Sequence, residues 1–134
     1  MWTRALLLCS DVRFEIGDTM TLVGVFAERI IVEPGQGPLV IARLAIYCVV
    51  AGLRDINEVI WRYSLGEPGG AGGPIAEGRE QHSADSDEHR LVHIISPLTL
   101  PRPGRYELSL DLATQRERSV FEHYFTVERT AAVQ

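Results

Sequence analysis

Lysine is absent from this 134-residue chain, and arginine supplies all 13 positive charges. Against 18 acidic residues these leave a net charge of −5, with no arginine run. Nucleic-acid affinity comes largely from clustered cations that neutralise phosphates, so no nucleic-acid partner is expected. Cysteine is scarce as well. Cys9 and Cys48 each lie inside an apolar run, with no histidine or second cysteine at metal-ligand spacing. The expectation is two buried free thiols in a reducing cytoplasm, not a disulfide or a zinc site. Long apolar runs are lacking too: nothing approaches the ~18 apolar residues that cross a bilayer as a helix, so no membrane association is expected. "RALLLC", 4–9, has the basic residue and apolar stretch of a lipoprotein signal, but only Ala5 to Leu8 form its apolar core. Leu8 is bulky where a small residue is wanted, and Asp11, Arg13 and Glu15 follow at once. A secretory signal needs an apolar core of ~7–15 residues, so the stretch reads as the first strand of a folded domain.

What is present is strand pattern almost throughout. Residues 5–16 and 19–32 are apolar, β-branched runs separated by Gly17-Asp18, which suits a two-residue hairpin turn. "EPGQGP", 33–38, is a turn segment, and 39–52 is a long run rich in Ile and Val. In 58–65, Val59, Trp61, Tyr63 and Leu65 alternate with Glu58, Arg62 and Ser64, the mark of a half-buried strand. Residues 66–90 are dense in Gly, Ser and charge, and read as a mobile loop with little to bury. Strand pattern returns at 90–100, 105–114 and 119–128. About seven strands and no amphipathic helix predict one all-β domain, an antiparallel β-sandwich spanning 1–134.

"PGRYELSL" followed by a turn and "FEHYFTV" resembles the last hairpin of immunoglobulin-like domains. That resemblance implies that the Tyr106 hydroxyl ties down the adjacent loop and that Trp61 is a core tryptophan; the antibody cysteine pair has no counterpart here. More widely, "ALLLCSDVRFEIGDTMTLVGVF", "LVIARLAIYCVVAG" and "PGRYELSLDL" resemble a small family of uncharacterised bacterial β-rich proteins, a domain of unknown function. Its opening hairpin has the form L-L-C-x-D-V-R-x-E followed by T-L-V-G-V-F. The resemblance implies a bacterial origin and a compact β-rich fold, and carries no reaction, ligand or site residue with it.

Catalytic motifs are missing: no phosphate loop, G-x-S-x-G elbow, H-E-x-x-H or C-x-x-C occurs. No catalytic residue, cofactor or metal site is therefore expected. His82, His89 and His93 lie close in sequence with Asp85, Asp87 and Glu88 among them, and weak metal binding is conceivable there, but two of the histidines fall in the expected loop. His123 shares a strand face with Phe121, Phe125 and Val127 and reads as a satisfied, partly buried histidine, not a catalytic one.

The polar stripe Asp11, Arg13, Glu15 is the most distinctive surface feature. With Gly17-Asp18 as the turn, Arg13 faces Leu22 and Cys9 faces Phe26, which mixes charge with large apolar groups on the face opposite the core. Such a patch needs a cover, either another segment of this chain or, in the favoured reading, a second molecule. Asp11, Arg13, Glu15, Leu22 and Phe26 thus form the candidate interaction surface. The expected function is a non-enzymatic protein-interaction or assembly module, through a protein partner or self-association. The alternative is a small-molecule enzyme, hydrolase-like, whose site is built from loops including 66–90. An adaptor or shell subunit of a larger assembly is a third possibility, by analogy of fold alone.

Overall fold

The computed structural model describes residues 1–17, 19–70, 72–84 and 86–130. Their strands are β1 (Trp2–Glu15), β2 (Thr19–Phe26), β3 (Arg29–Val32), β4 (Leu39–Ile41), β5 (Leu44–Ala51), β6 (Glu58–Gly66), β7 (Pro74–Ser83), β8 (His89–Ile95), β9 (Leu98–Leu100), β10 (Gly104–Ala113) and β11 (Arg118–Arg129). They form a four-stranded sheet in the order β2-β1-β5-β8, a five-stranded sheet in the order β3-β11-β10-β6-β7, and a small β4-β9 pair. Every pairing is antiparallel except that of β3 with β11. Among the described residues no helix is long and apolar enough to cross a membrane.

The expected β-sandwich is present. Alternation places Val59, Trp61, Tyr63 and Leu65 of β6 and Tyr106, Leu108, Leu110 and Leu112 of β10 inward, against Leu8, Ile46, Cys48 and Leu91 of the smaller sheet. All are buried, at roughly 1.5–3 kcal/mol of transfer free energy for each large side chain. Three of the seven expected runs divide in two, because short turns at 27–28, 42–43 and 96–97 interrupt them.

The expected mobile loop at 66–90 is corrected. Its centre is β7, antiparallel to β6 along almost its whole length, with Trp61 opposite Glu80 and Tyr63 opposite Gly78. An edge strand needs apolar side chains on one face at most, and β7 is held by its ladder to β6 rather than by a hydrophobic run. Its alternation is polar on both faces, so composition hides it.

The pairing of the first hairpin is corrected too. Glu15 faces Thr19, Arg13 faces Thr21 and Val12 faces Leu22, so three residues, 16–18, connect the strands instead of two; Asp18 lies outside the described residues. Gly17 takes φ 81°, the left-handed conformation that three-residue hairpin loops favour. A one-residue slip moves every side chain of one strand to the other face. Ser10 and Gly24 drop out of the ladder, with Gly24 at φ 64° and the Ser10 hydroxyl donating to the Val23 carbonyl at 2.8 Å. Beyond this irregularity Val12 joins Cys9 and Ala45 in a second buried cluster with Met20, Leu22, Val92 and Ile94.

Candidate functional site

One cluster of polar side chains bridges the two sheets where their edges β7 and β8 meet. β6 points Trp61 and Tyr63 inward, its neighbour β7 places Glu80 and His82 beside them, and β8 brings His93 from the opposite sheet. Glu80 is the hub. Its carboxylate accepts hydrogen bonds from Trp61 Nε1 at 2.7 Å and His93 Nδ1 at 2.9 Å, with His82 Nε2 at 3.2 Å. With Nδ1 donating, the neutral His93 ring leaves Nε2 free to accept the Tyr63 hydroxyl at 2.9 Å. The Tyr63 and His93 rings also pack at 4.5 Å between centroids, and His82 lies 5.2 Å from His89. Gly78 makes room for this, since a Cβ there would overlap the Tyr63 ring.

Burial pushes the Glu80 carboxyl up, but the hydrogen bonds from His93, Trp61 and His82 outweigh it and hold the group below its ordinary value. Burial, with the charges of Glu80 and Glu77, raises the Tyr63 phenol. A carboxylate, an imidazole and a phenol in series can relay a proton. Here the phenol end is blind: Tyr63 is only 7% exposed, and its raised pKa makes it a poor nucleophile.

Of the three histidines singled out in the sequence, His82 and His93 meet at Glu80 and not at the intervening acids, and His89 packs against the His82 ring. Glu88 pairs with Arg4 at 2.6 Å, the Asp87 carbonyl accepts from the Leu53 amide, and Asp85 lies outside the described residues. Among the described residues no three His, Cys, Asp or Glu side chains are disposed to hold a metal ion. The composition of 66–90 does not mark Glu80, Tyr63 and Trp61 as a group; the signal for it is the inward series Ala76, Gly78, Glu80, His82, opposite Leu65, Tyr63, Trp61 and Val59. His123 sits half-buried opposite Leu108, as its pattern implied. Tyr106 donates its hydroxyl to the Arg102 carbonyl, the tie that its position implied. Cys9 and Cys48 are buried free thiols, and burial pushes Cys48 up to about 11.

The five surface candidates do not share a face. Asp11, Arg13 and Glu15 lie along one face of the hairpin, with Asp11 paired to Arg43 at 3.0 Å. Leu22 faces Val12 in the second cluster, and Phe26 faces Leu8 and packs against the main core. Cys9 and Leu22 lie together with Val12, Met20, Ala45, Val92 and Ile94, all on β1, β2, β5 and β8 of the smaller sheet; Cys9, Val12 and Ala45 are buried there, and Met20, Leu22, Val92 and Ile94 are half-buried.

A different apolar surface remains open. β5 pairs with β1 only from Trp2 to Cys9, whereas β2 continues to Glu15, so the distal hairpin is a two-stranded arm. At its tip Phe14 is 66% and Ile16 100% exposed. Near the base of the arm, a groove of about 440 Å³ is lined by Phe26, Ile30, Ile31, Leu39, Val40 and Arg129 among others. On its rim Ile31 is 57% and Val40 59% exposed. No protein-family description and no characterised protein matches this chain.

Proposed function

We propose that this chain is a non-enzymatic interaction or assembly module acting in the cytoplasm, in a bacterial family marked by the L-L-C-x-D-V-R-x-E hairpin. The observation that carries the reading is the arm. A two-stranded ribbon is marginal by itself, and one that ends in a bare Phe14 and Ile16 is paid for by a contact outside the sandwich. The two buried free thiols agree with a reducing compartment. The test compares wild type with Phe14→Ser/Ile16→Ser for self-association and for capture of stoichiometric partners from host extract. Loss of either, with an unchanged thermal melt, supports the reading; a wild type that neither self-associates nor captures anything the variant loses overturns it.

A second reading, a small-molecule enzyme of hydrolase type, draws on the Glu80–His93 pair, which 66–90 helps to build. It requires a substrate to reach His93 Nε2, where Tyr63 now sits. Tyr63→Phe opens that nitrogen. Hydrolysis of activated esters that Tyr63→Phe changes and His93→Gln abolishes would favour the enzyme, and no turnover by any of the three proteins would remove it.

A further inference from the structure

We propose that the outer face of the larger sheet binds the phosphate group of a small molecule between Arg62 and Arg79. The site belongs to the sheet that does not carry the β1–β2 arm, and it stands independently of the interaction module. The alternation that turns Trp61 and Tyr63 inward turns Arg62 and Ser64 of β6 outward, with Glu77 and Arg79 of β7 on one side and Ser109 and Asp111 of β10 on the other. Register sets these side chains in two rows across the strands. Asp111, Arg62 and Arg79 make one row; Ser109, Ser64 and Glu77 make the next. Together they line a depression of about 470 Å³, a size within the range of small-molecule sites.

The first row runs against the rule of sheet pairing. Opposite charges placed directly across a ladder stabilise it and like charges destabilise it, yet Arg62 stands opposite Arg79. The acid on the other side of Arg62 does not relieve this, because Arg118 donates Nε and Nη2 to the two oxygens of Asp111 at 2.8 and 2.6 Å. Arg62 acts on Asp111 only through space. Among the described residues the side chains of Arg62 and Arg79 make no hydrogen bond or ion pair, and neither do the hydroxyls of Ser64 and Ser109. Four groups able to donate thus border one depression with nothing to donate to.

A phosphate matches that set. It carries a charge of about −1.5 to −2 at pH 7 against the two guanidinium groups, and its oxygens accept the paired N–H groups that arginine presents. Bound between Arg62 and Arg79, it also removes their mutual repulsion. Ser64 and Ser109 are short, so the floor of the second row is low and its hydroxyls lie beneath a group that the arginines flank. Glu77 fixes the polarity of the site. It lies opposite Ser64 and repels an anion, so the phosphate takes the arginine row, and the rest of the molecule turns a hydroxyl or an amine toward Glu77.

Titration of amide chemical shifts with inorganic phosphate, at constant ionic strength made up with chloride, is the test. Saturable shifts are expected at residues 62–64, 77–79 and 109–111, with a Kd of about 1 mM, as suits a few charge-assisted bonds at an open site. Arg62→Gln and Arg79→Gln should each weaken binding about tenfold or more, the effect of losing one charged hydrogen bond. Glu77→Gln should tighten it by removing the adjacent negative charge. Acetate, with a single charge, should bind more weakly than phosphate. Both arginines are exposed, and without phosphate at low salt neither arginine variant should melt below wild type, since each relieves the like-charge contact. An absence of saturable shifts, shifts that survive in both arginine variants, acetate binding as tight as phosphate, or arginine variants less stable than wild type without phosphate would each overturn the proposal.

Discussion

Replacing Glu80 by Gln keeps the size of the side chain and removes the charge on which the inter-sheet cluster depends. The carboxylate serves Trp61 Nε1 on one oxygen and His93 Nδ1 on the other. An amide has one acceptor oxygen, so one of the two N–H groups faces an NH₂ instead. Hydrogen bonds to charged groups contribute about 1.5–3 kcal/mol, and the loss of one is the leading effect. Glu80 is 32% exposed, and solvent screening reduces the expected loss to roughly 1–2 kcal/mol. For a domain of this size that lowers Tm by about 3–8 °C. The pH dependence has a definite sign. Because the folded-state pKa of Glu80 is depressed, its stabilisation is fully present above the unfolded glutamate value and is lost as pH falls through the lower folded value. The gap between wild type and Glu80→Gln should close as pH falls below about 4.3. Asp111, also depressed through Arg118, is present in both proteins and cancels in the difference. Thermal melts of the two proteins across this range are the assay. Equal stability at pH 7, or a gap that persists undiminished at pH 3, would refute the assignment of Glu80 as an ionised hub.

Cys9 and Cys48 should resist a thiol reagent in the native protein and react after denaturation, since both are buried and both thiols are raised by burial; labelling followed by mass measurement reads this. Replacing residues 74–83 with a short Gly-Ser linker should abolish the cooperative melt, because it strips the ladder from β6 and removes Glu80 from Trp61. Tyr106→Phe should cost about 1 kcal/mol, the net worth of one neutral hydrogen bond, seen as a Tm lower by a few degrees with no change in the circular dichroism spectrum.

Apolar alternation makes β6, β10 and β11 legible, because β6 and β10 each bury one full face and β11 buries Phe125 and Val127. The same rule concealed β7, whose inward positions are Ala76, Gly78, Glu80 and His82: Gly78 serves Tyr63, and Glu80 serves two N–H groups, so neither contributes an apolar mark. The sequence places His82, His89 and His93 close together, yet the carboxylate that His82 and His93 share lies outside the acids between them, and only strand register identifies it. For the hairpin, two-residue and three-residue connections both accommodate Gly17, and the face assignment of Leu22 and Phe26 hangs on that single residue.

The order in which the strands leave the ribosome bears on how this chain reaches its native state. The smaller sheet is complete once residue 95 is made, whereas β10 and β11, the centre of the larger sheet, arrive last. β3, made early, has its ladder partner only in β11, where Ile30 lies beside Val127. Until residues 104–129 emerge, Leu8, Ile46, Cys48 and Leu91 have no opposing layer from β10 or β11. A topology with such distant pairings is expected to fold slowly and to present its apolar interior to its surroundings meanwhile, so protection of the nascent chain is part of making this protein.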